Sequence, residues 1–100
     1  MNVVFTPRAD QEILSAIDYY NEKQTGLGDR FNYELQISIG YIAIWPEKSS
    51  KRYKNARAVL INKFPFLIFY TYHSKEQSIF ILSVFNTYQN PKKIKRRLYK

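Results

Sequence analysis

The chain has no cysteine, a single histidine (His73) and no apolar run of membrane-spanning length. Each lack excludes something. Without cysteine there are no disulfide staples and no thiolate metal sites, and one imidazole cannot assemble a metal centre by itself. No stretch approaches the ~18 uninterrupted apolar residues that a membrane span requires, and the first residues lack the basic-then-apolar order of a secretion signal. A soluble, cytoplasmic protein with no metal and no cofactor is therefore expected. Acidic side chains are nearly missing from the second half. Residues 48–100 hold one carboxylate against thirteen Lys and Arg, a balance of +12, whereas residues 1–47 hold seven acids against three bases, a balance of −4. The net formal charge is +8. The second half is thus the one that meets a polyanion, and charge alone does not choose between nucleic acid, an acidic protein and anionic lipid.

What the chain does have is apolar and aromatic mass. Hydrophobic residues make up 45% and aromatics 17%, with nine Tyr and seven Phe. That is too apolar for a disordered segment, and a packed core is expected. One hundred residues make one domain, taken here as residues 1–100. At this length folding hides only roughly 60–65% of the unfolded surface, so the core is thin.

Asn2 to Phe5 reads as a short strand, and Thr6-Pro7 supplies an N-cap oxygen and a proline for the first helical position. Ala9, Ile13, Ala16, Ile17 and Tyr20 then recur at helical spacing, with charged residues on the other faces. Gly26 and Gly28 mark a tight turn. A second helix carries Leu27, Phe31, Leu35, Ile39, Ile42 and Trp45 as its apolar stripe, widened by Ile37, Tyr41 and Ile44, and stops at Pro46. Residues 47–55 read as a polar, basic connector. Three strand-like runs follow, Ala56 to Asn62, Phe66 to Tyr72 and Ser78 to Asn86, the last two joined as a hairpin through His73–Gln77. Pro91 opens a basic tail of one or two helical turns ending at Lys100. The fold class is α+β: one antiparallel sheet, from the N-terminal strand and three C-terminal strands, packed on a two-helix hairpin.

The chain resembles the RelE/ParE toxin superfamily over nearly its whole length, the ParE-like plasmid-stabilisation branch most closely. The resemblance rests on Tyr19-Tyr20 closing the first helix, Leu27-Gly28 and Phe31 opening the second, and Trp45-Pro46 at its end. It continues through Arg57, Phe64-Pro65-Phe66, Tyr70, Val84-Phe85-Asn86 and Asn90-Pro91 before the basic tail. It implies the toxin of a type II toxin–antitoxin pair, a growth inhibitor with a cognate acidic antitoxin. It also implies one of two targets: DNA gyrase, blocked by binding, or messenger RNA in the ribosome, cut by an endoribonuclease.

Most of these residues also have structural readings. Tyr19 and Tyr20 suit helix-end packing, Trp45 suits a core anchor, and Phe64-Pro65-Phe66 suits the start of a strand. Arg57, in an otherwise apolar strand, suits an anion clamp on the sheet's open side if its fork is free, and a structural salt bridge if it is not. Lys48, Lys51, Arg52 and Lys54 form one basic cluster. Lys92, Lys93, Lys95, Arg96, Arg97 and Lys100 form a denser one, able to bind phosphates without reading sequence. His73 reads as an exposed spectator.

For RNA cleavage Arg57 would hold phosphate, while Lys54 or Tyr88 would assist proton transfer or stacking. Many relatives carry histidine where this chain has Asn86, and an amide does not exchange protons usefully at neutral pH. That departure favours target binding, gyrase first, over catalysis. A third reading is a small non-toxic nucleic-acid-binding module, from the basic residues interleaved with Tyr53, Tyr88 and Tyr99.

Overall fold

The computed structural model describes residues 1–99; Lys100, counted with the basic tail, lies outside the described residues. The chain order is β1 (Asn2–Phe5), α1 (Pro7–Lys23), α2 (Leu27–Ile44), β2 (Lys51–Tyr53), β3 (Ala56–Leu60), β4 (Phe66–His73), β5 (Ser78–Asn86) and α3 (Lys92–Tyr99). One sheet runs β1-β5-β4-β3-β2.

The start of α1 is set locally. Thr6 Oγ1 accepts from the Ala9 N–H at 3.1 Å, and Pro7 occupies the first helical position, where no N–H is needed. Gly26 turns the chain at φ 87°, a left-handed conformation that costs glycine little. Gly28 then lets α2 pass close to α1: a Cβ there would collide with the Ile17 carbonyl and the Asn21 side chain. Asn21 uses that proximity, its Oδ1 accepting from the Gly28 N–H at 2.8 Å.

Two features of the sheet depart from the sequence reading. The connector contains a fifth strand, β2, paired through Lys51 with Arg57 and Tyr53 with Ala56. A three-residue polar edge strand is defined by its ladder rather than by a hydrophobic pattern, which is why its residues read as loop. β1 pairs parallel to β5, Asn2 opposite Ser78 and Phe5 opposite Ile81, so the sheet is antiparallel only from β5 to β2. The connection that this parallel pairing requires runs through the helical hairpin and then β2, β3 and β4.

Opposed pairs share a face of the sheet, and this divides the core in two. Ile68, Tyr70, Ile79, Ile81 and Val84 pack against Phe31, Leu35, Ile39 and Ile42 of α2. Tyr20, Phe31, Phe64 and Phe66 close that layer as an aromatic knot, with ring centroids 5.0 Å apart for Tyr20–Phe64 and for Phe31–Phe66. Ile13 and Ile17 are half-buried on its margin. The opposite face is covered by α3, whose Ile94 is buried against Phe69 and Phe85 with Tyr53, Leu67 and Leu98 around them. Alternation along β5 is reset midway by a bulge. Phe69 opposes Ser83 and Tyr70 opposes Ile81, leaving Leu82 without an opposite residue.

Trp45 is not a core anchor. α2 ends at Ile44, Trp45 leaves the helix at φ −126° and ψ 62°, and its side chain is 57% exposed. The buried stripe of α2 ends one turn earlier, at Ile42. The widening residues Ile37, Tyr41 and Ile44 are exposed as well.

Candidate functional site

Part of the first basic cluster, Arg52 and Lys54, meets the second on the α3 side of the sheet. Lys54 and Asn55 form the two-residue turn between β2 and β3, and Lys54 is held at φ 50°, a conformation uncommon outside glycine and asparagine. Arg52, Tyr53 and Lys54 line a pocket of about 400 Å³ together with Lys95 of α3. Tyr53 reaches inward, its ring 6.0 Å from that of Phe69. Lys92, Lys93 and Arg96 are exposed along α3, whereas Lys51, opposite Arg57, is exposed on the other face and Lys48 lies beside α2. The turn and the helix therefore present one continuous cationic surface.

Arg97 is spent inside the molecule. Its Nη1 donates to Glu12 at 2.9 Å and its Nη2 to Gln89 Oε1 at 2.8 Å, and the guanidinium lies 5.3 Å from the centre of the Phe85 ring. Glu12 also accepts from Ser83 Oγ at 2.8 Å and from the Val84 N–H at 3.0 Å. One carboxylate thus joins α1, β5 and α3. No local pattern marks this role in the sequence, because all its partners lie more than seventy residues away.

Arg57 faces the helical hairpin, opposite Tyr70. Its Nη1 donates to the carbonyl of Ser49 at 2.6 Å and to that of Glu47 at 3.2 Å, while the Tyr70 hydroxyl donates to Pro46 O at 2.8 Å. Together they clasp the turn after α2, and neither the salt bridge nor the open-side position expected from the sequence is found. Burial pushes the Tyr70 phenol up, partly opposed by Ser49 and Arg57. Tyr88 is 86% exposed beyond the end of β5, and Asn86 Oδ1 accepts its N–H at 2.9 Å. Tyr88 stands at the Phe66 end of the sheet, whereas Lys54 stands near its Tyr70 end, four to five residues along a strand and so roughly 15 Å away. Lys54, Arg57 and Tyr88 do not converge. His73 ends β4 exposed, with Nε2 3.0 Å from Thr71 Oγ1.

A second surface was not foreseen. Between α2 and β3 lies a groove of about 510 Å³ lined by Ile37, Tyr41, Trp45, Val59 and Leu60, with Glu34 and Lys48 among its polar residues. Tyr41, Ile44, Trp45 and Leu60 are each more than half exposed. Beside it β3 has an open edge, since β2 pairs only as far as Arg57. The Ile61 N–H donates inward to Phe66 O, so by alternation the backbone groups of Ala58 and Leu60 point outward. The signal for this surface was the width of the α2 stripe, which exceeds what one buried face can use.

Two solved structures share this architecture. A chain of the chromosomal ParDE TA system from P. aeruginosa matches with a TM-score of 0.63 at 13% identity, over 86% of this chain and 95% of that one. The isolated E. coli RelE toxin matches with a TM-score of 0.67 at 16% identity, over 95% and 96%. No protein-family model and no curated protein matches the sequence. The chain has the fold of these toxin-system proteins. Among the described residues no helix is long and apolar enough to cross a membrane, and no group of His, Cys, Asp and Glu is placed to hold a metal ion.

Proposed function

We propose that this chain is the toxin of a type II toxin–antitoxin pair. In this reading it inhibits growth by binding a macromolecular target, DNA gyrase first, through the cationic surface of the β2–β3 turn and α3. A cognate acidic antitoxin restrains it. The likeness of fold supports the class, and the single observation that favours binding over RNA cleavage is the dispersal of the catalytic candidates. Arg57 is occupied by two carbonyls on one face, Lys54 belongs to a pocket on the other, and Tyr88 is at the far end. Cleavage needs clamp, base and acid around one phosphate.

The groove between α2 and β3 supports the second half of the reading. An exposed apolar trough beside an open strand edge suits a segment of a protein partner that pairs with β3 and buries side chains against Tyr41 and Trp45. The net charge of +8 favours an acidic partner over a second copy. Induction of the chain in bacteria, with parallel readouts of supercoiling and of ribosome-bound transcripts, tests the target. Loss of supercoiling or DNA damage is expected. Prompt codon-phased transcript cleavage with undisturbed supercoiling would overturn the gyrase reading in favour of the ribonuclease.

A further inference from the structure

α2 carries more apolar surface than its one buried face uses. Tyr33, Ile37, Gly40 and Ile44 follow one another at spacings of four, three and four, which places them on a single stripe of the helix, with Tyr41 on its flank. Tyr33, Ile37, Tyr41 and Ile44 are between 40% and 65% exposed. Gly40, exposed as well, is the odd member. Glycine weakens a helix interior, and a Cβ built at this position would meet nothing within 4 Å, so no packing inside the molecule accounts for it. The stripe is also uncharged: after Arg30 the only charged side chain of α2 is Glu34, which is buried.

A stripe that sets a bulky side chain three positions from a gap is complementary to itself. When two such helices pack antiparallel, the alternate seam positions face each other, so Ile37 of each copy comes over Gly40 of the other, and Tyr33 over Ile44. We infer that two copies of this chain associate through α2, antiparallel about a two-fold axis, with each Ile37 seated in the gap at the other's Gly40. One arrangement makes every contact twice, as an isologous dimer requires. Carried one step further, the same register brings Arg30 toward the turn that holds Glu47 in the other copy, opposite in sign. The net charge of +8, which weighs against a second copy in the groove, is carried mostly elsewhere: residues 1–47 balance to −4, and α3 lies on the other face of the sheet. The large side chains of the stripe offer roughly 500 Å² on each copy, so about 1,000 Å² in all, the lower bound for a specific interface, and the dimer is accordingly weak and reversible. Ile37 and Tyr41 also line the groove beside β3, so a second copy and a strand-adding partner exclude each other. The inference goes beyond the toxin reading and does not rest on it.

The test is sedimentation equilibrium of the full chain over a concentration series reaching about 1 mM, beside thermal unfolding of each variant. The unaltered chain should pass from monomer to dimer with a micromolar Kd and go no further, because a two-fold contact closes on itself. Gly40→Leu should fill the gap and weaken the dimer by about tenfold or more, while the melting temperature holds or rises, since leucine favours a helix and its Cβ meets nothing in the monomer. Ile37→Ala, which removes the other half of the contact from an exposed position, should also weaken it. The two variants mixed should then associate better than either alone: the shortened side chain of one faces the new leucine of the other, and Ile37 still faces Gly40. That rescue depends on the antiparallel register, and a loss of folding would not produce it. A chain that stays monomeric throughout would overturn the inference and leave the stripe to a different protein. So would a Gly40→Leu variant that dimerises as tightly as the unaltered chain, a mixture no better than its components, or assemblies larger than two. Growth is not read here, so failure of this experiment leaves the toxin reading standing, and failure of the supercoiling assay leaves the dimer standing.

Discussion

The two edges of the sheet are treated differently. Both end in strands too short to cover their neighbours: β1 covers β5 only as far as Ile81, and β2 covers β3 only as far as Arg57. On the β5 side the remaining edge is closed by α1. The Thr6 N–H donates to Ile81 O, Thr6 Oγ1 donates to Leu82 O, and Glu12 accepts from the Val84 N–H. On the β3 side no strand follows, and an apolar groove lies beside the gap. An uncovered strand edge is a template for pairing, and proteins ordinarily blunt it. The contrast teaches that this chain guards one edge with its own helix and leaves the other open among the described residues.

The comparison is broken most severely at Glu12. Glu12→Ala strands the Ser83 hydroxyl and the Val84 N–H, together with Arg97, and is expected to cost about 3 kcal/mol, from the penalties for leaving such groups unpaired. Urea unfolding measures it, and a loss below ~1 kcal/mol would show that α1 does not guard that edge.

Trp45→Ala should do the reverse. Stability should change by less than about 1 kcal/mol, because the side chain is largely exposed, while affinity for the proposed acidic partner should fall by about 2 kcal/mol or more, as for a buried aromatic anchor. Calorimetry of partner binding beside thermal unfolding of the free chain separates the two. Leu60→Pro sharpens the point: a proline whose missing N–H faced outward is tolerated on an edge strand, yet denies a bond to an added strand. It should weaken the partner more than Leu60→Ala does, with similar stability for both variants. Equal affinities would rule out strand addition at β3.

The smallest effect concerns pH. The Tyr70 phenol is held above its ordinary value of 10.0 chiefly by burial. The unfolded chain therefore loses this proton first, so the contribution is complete below about pH 10 and declines as pH rises toward the folded value. Tyr70→Phe should lower stability at neutral pH, by losing the bond to Pro46 O, and flatten the alkaline limb of the stability curve. An unchanged alkaline limb would assign that slope to other groups.

Local chemistry was legible in the sequence. Thr6-Pro7 marked the start of α1, Gly26 its turn, the polar loop after His73 the β4–β5 hairpin, and Pro91 the tail helix. The basic clusters were visible too, and the structure joins Arg52 and Lys54 with Lys95. Long-range pairing was not legible. β2 exists because Arg57 and Ala56 lie opposite it, Arg57 points at carbonyls eight and ten residues upstream, and Glu12 is defined by residues at the other end of the chain. Trp45 misled because its spacing fits the buried stripe, whereas the helix ends before the stripe reaches it.

The bulge at Leu82 sets a rule for how this sequence can change length. Residues on its two sides obey opposite parities: Ile79 and Ile81 face the helical hairpin before it, and Val84 faces the hairpin after it while Phe85 faces α3. Deleting Leu82 alone would restore simple alternation and leave every later side chain of β5 on its present face, with Ser83 following Ile81 on the opposite side, Val84 toward the hairpin and Phe85 toward α3. Lineages of this chain are therefore expected to vary in length at the 74–77 turn, after Asn90, or by the single bulge residue within β5.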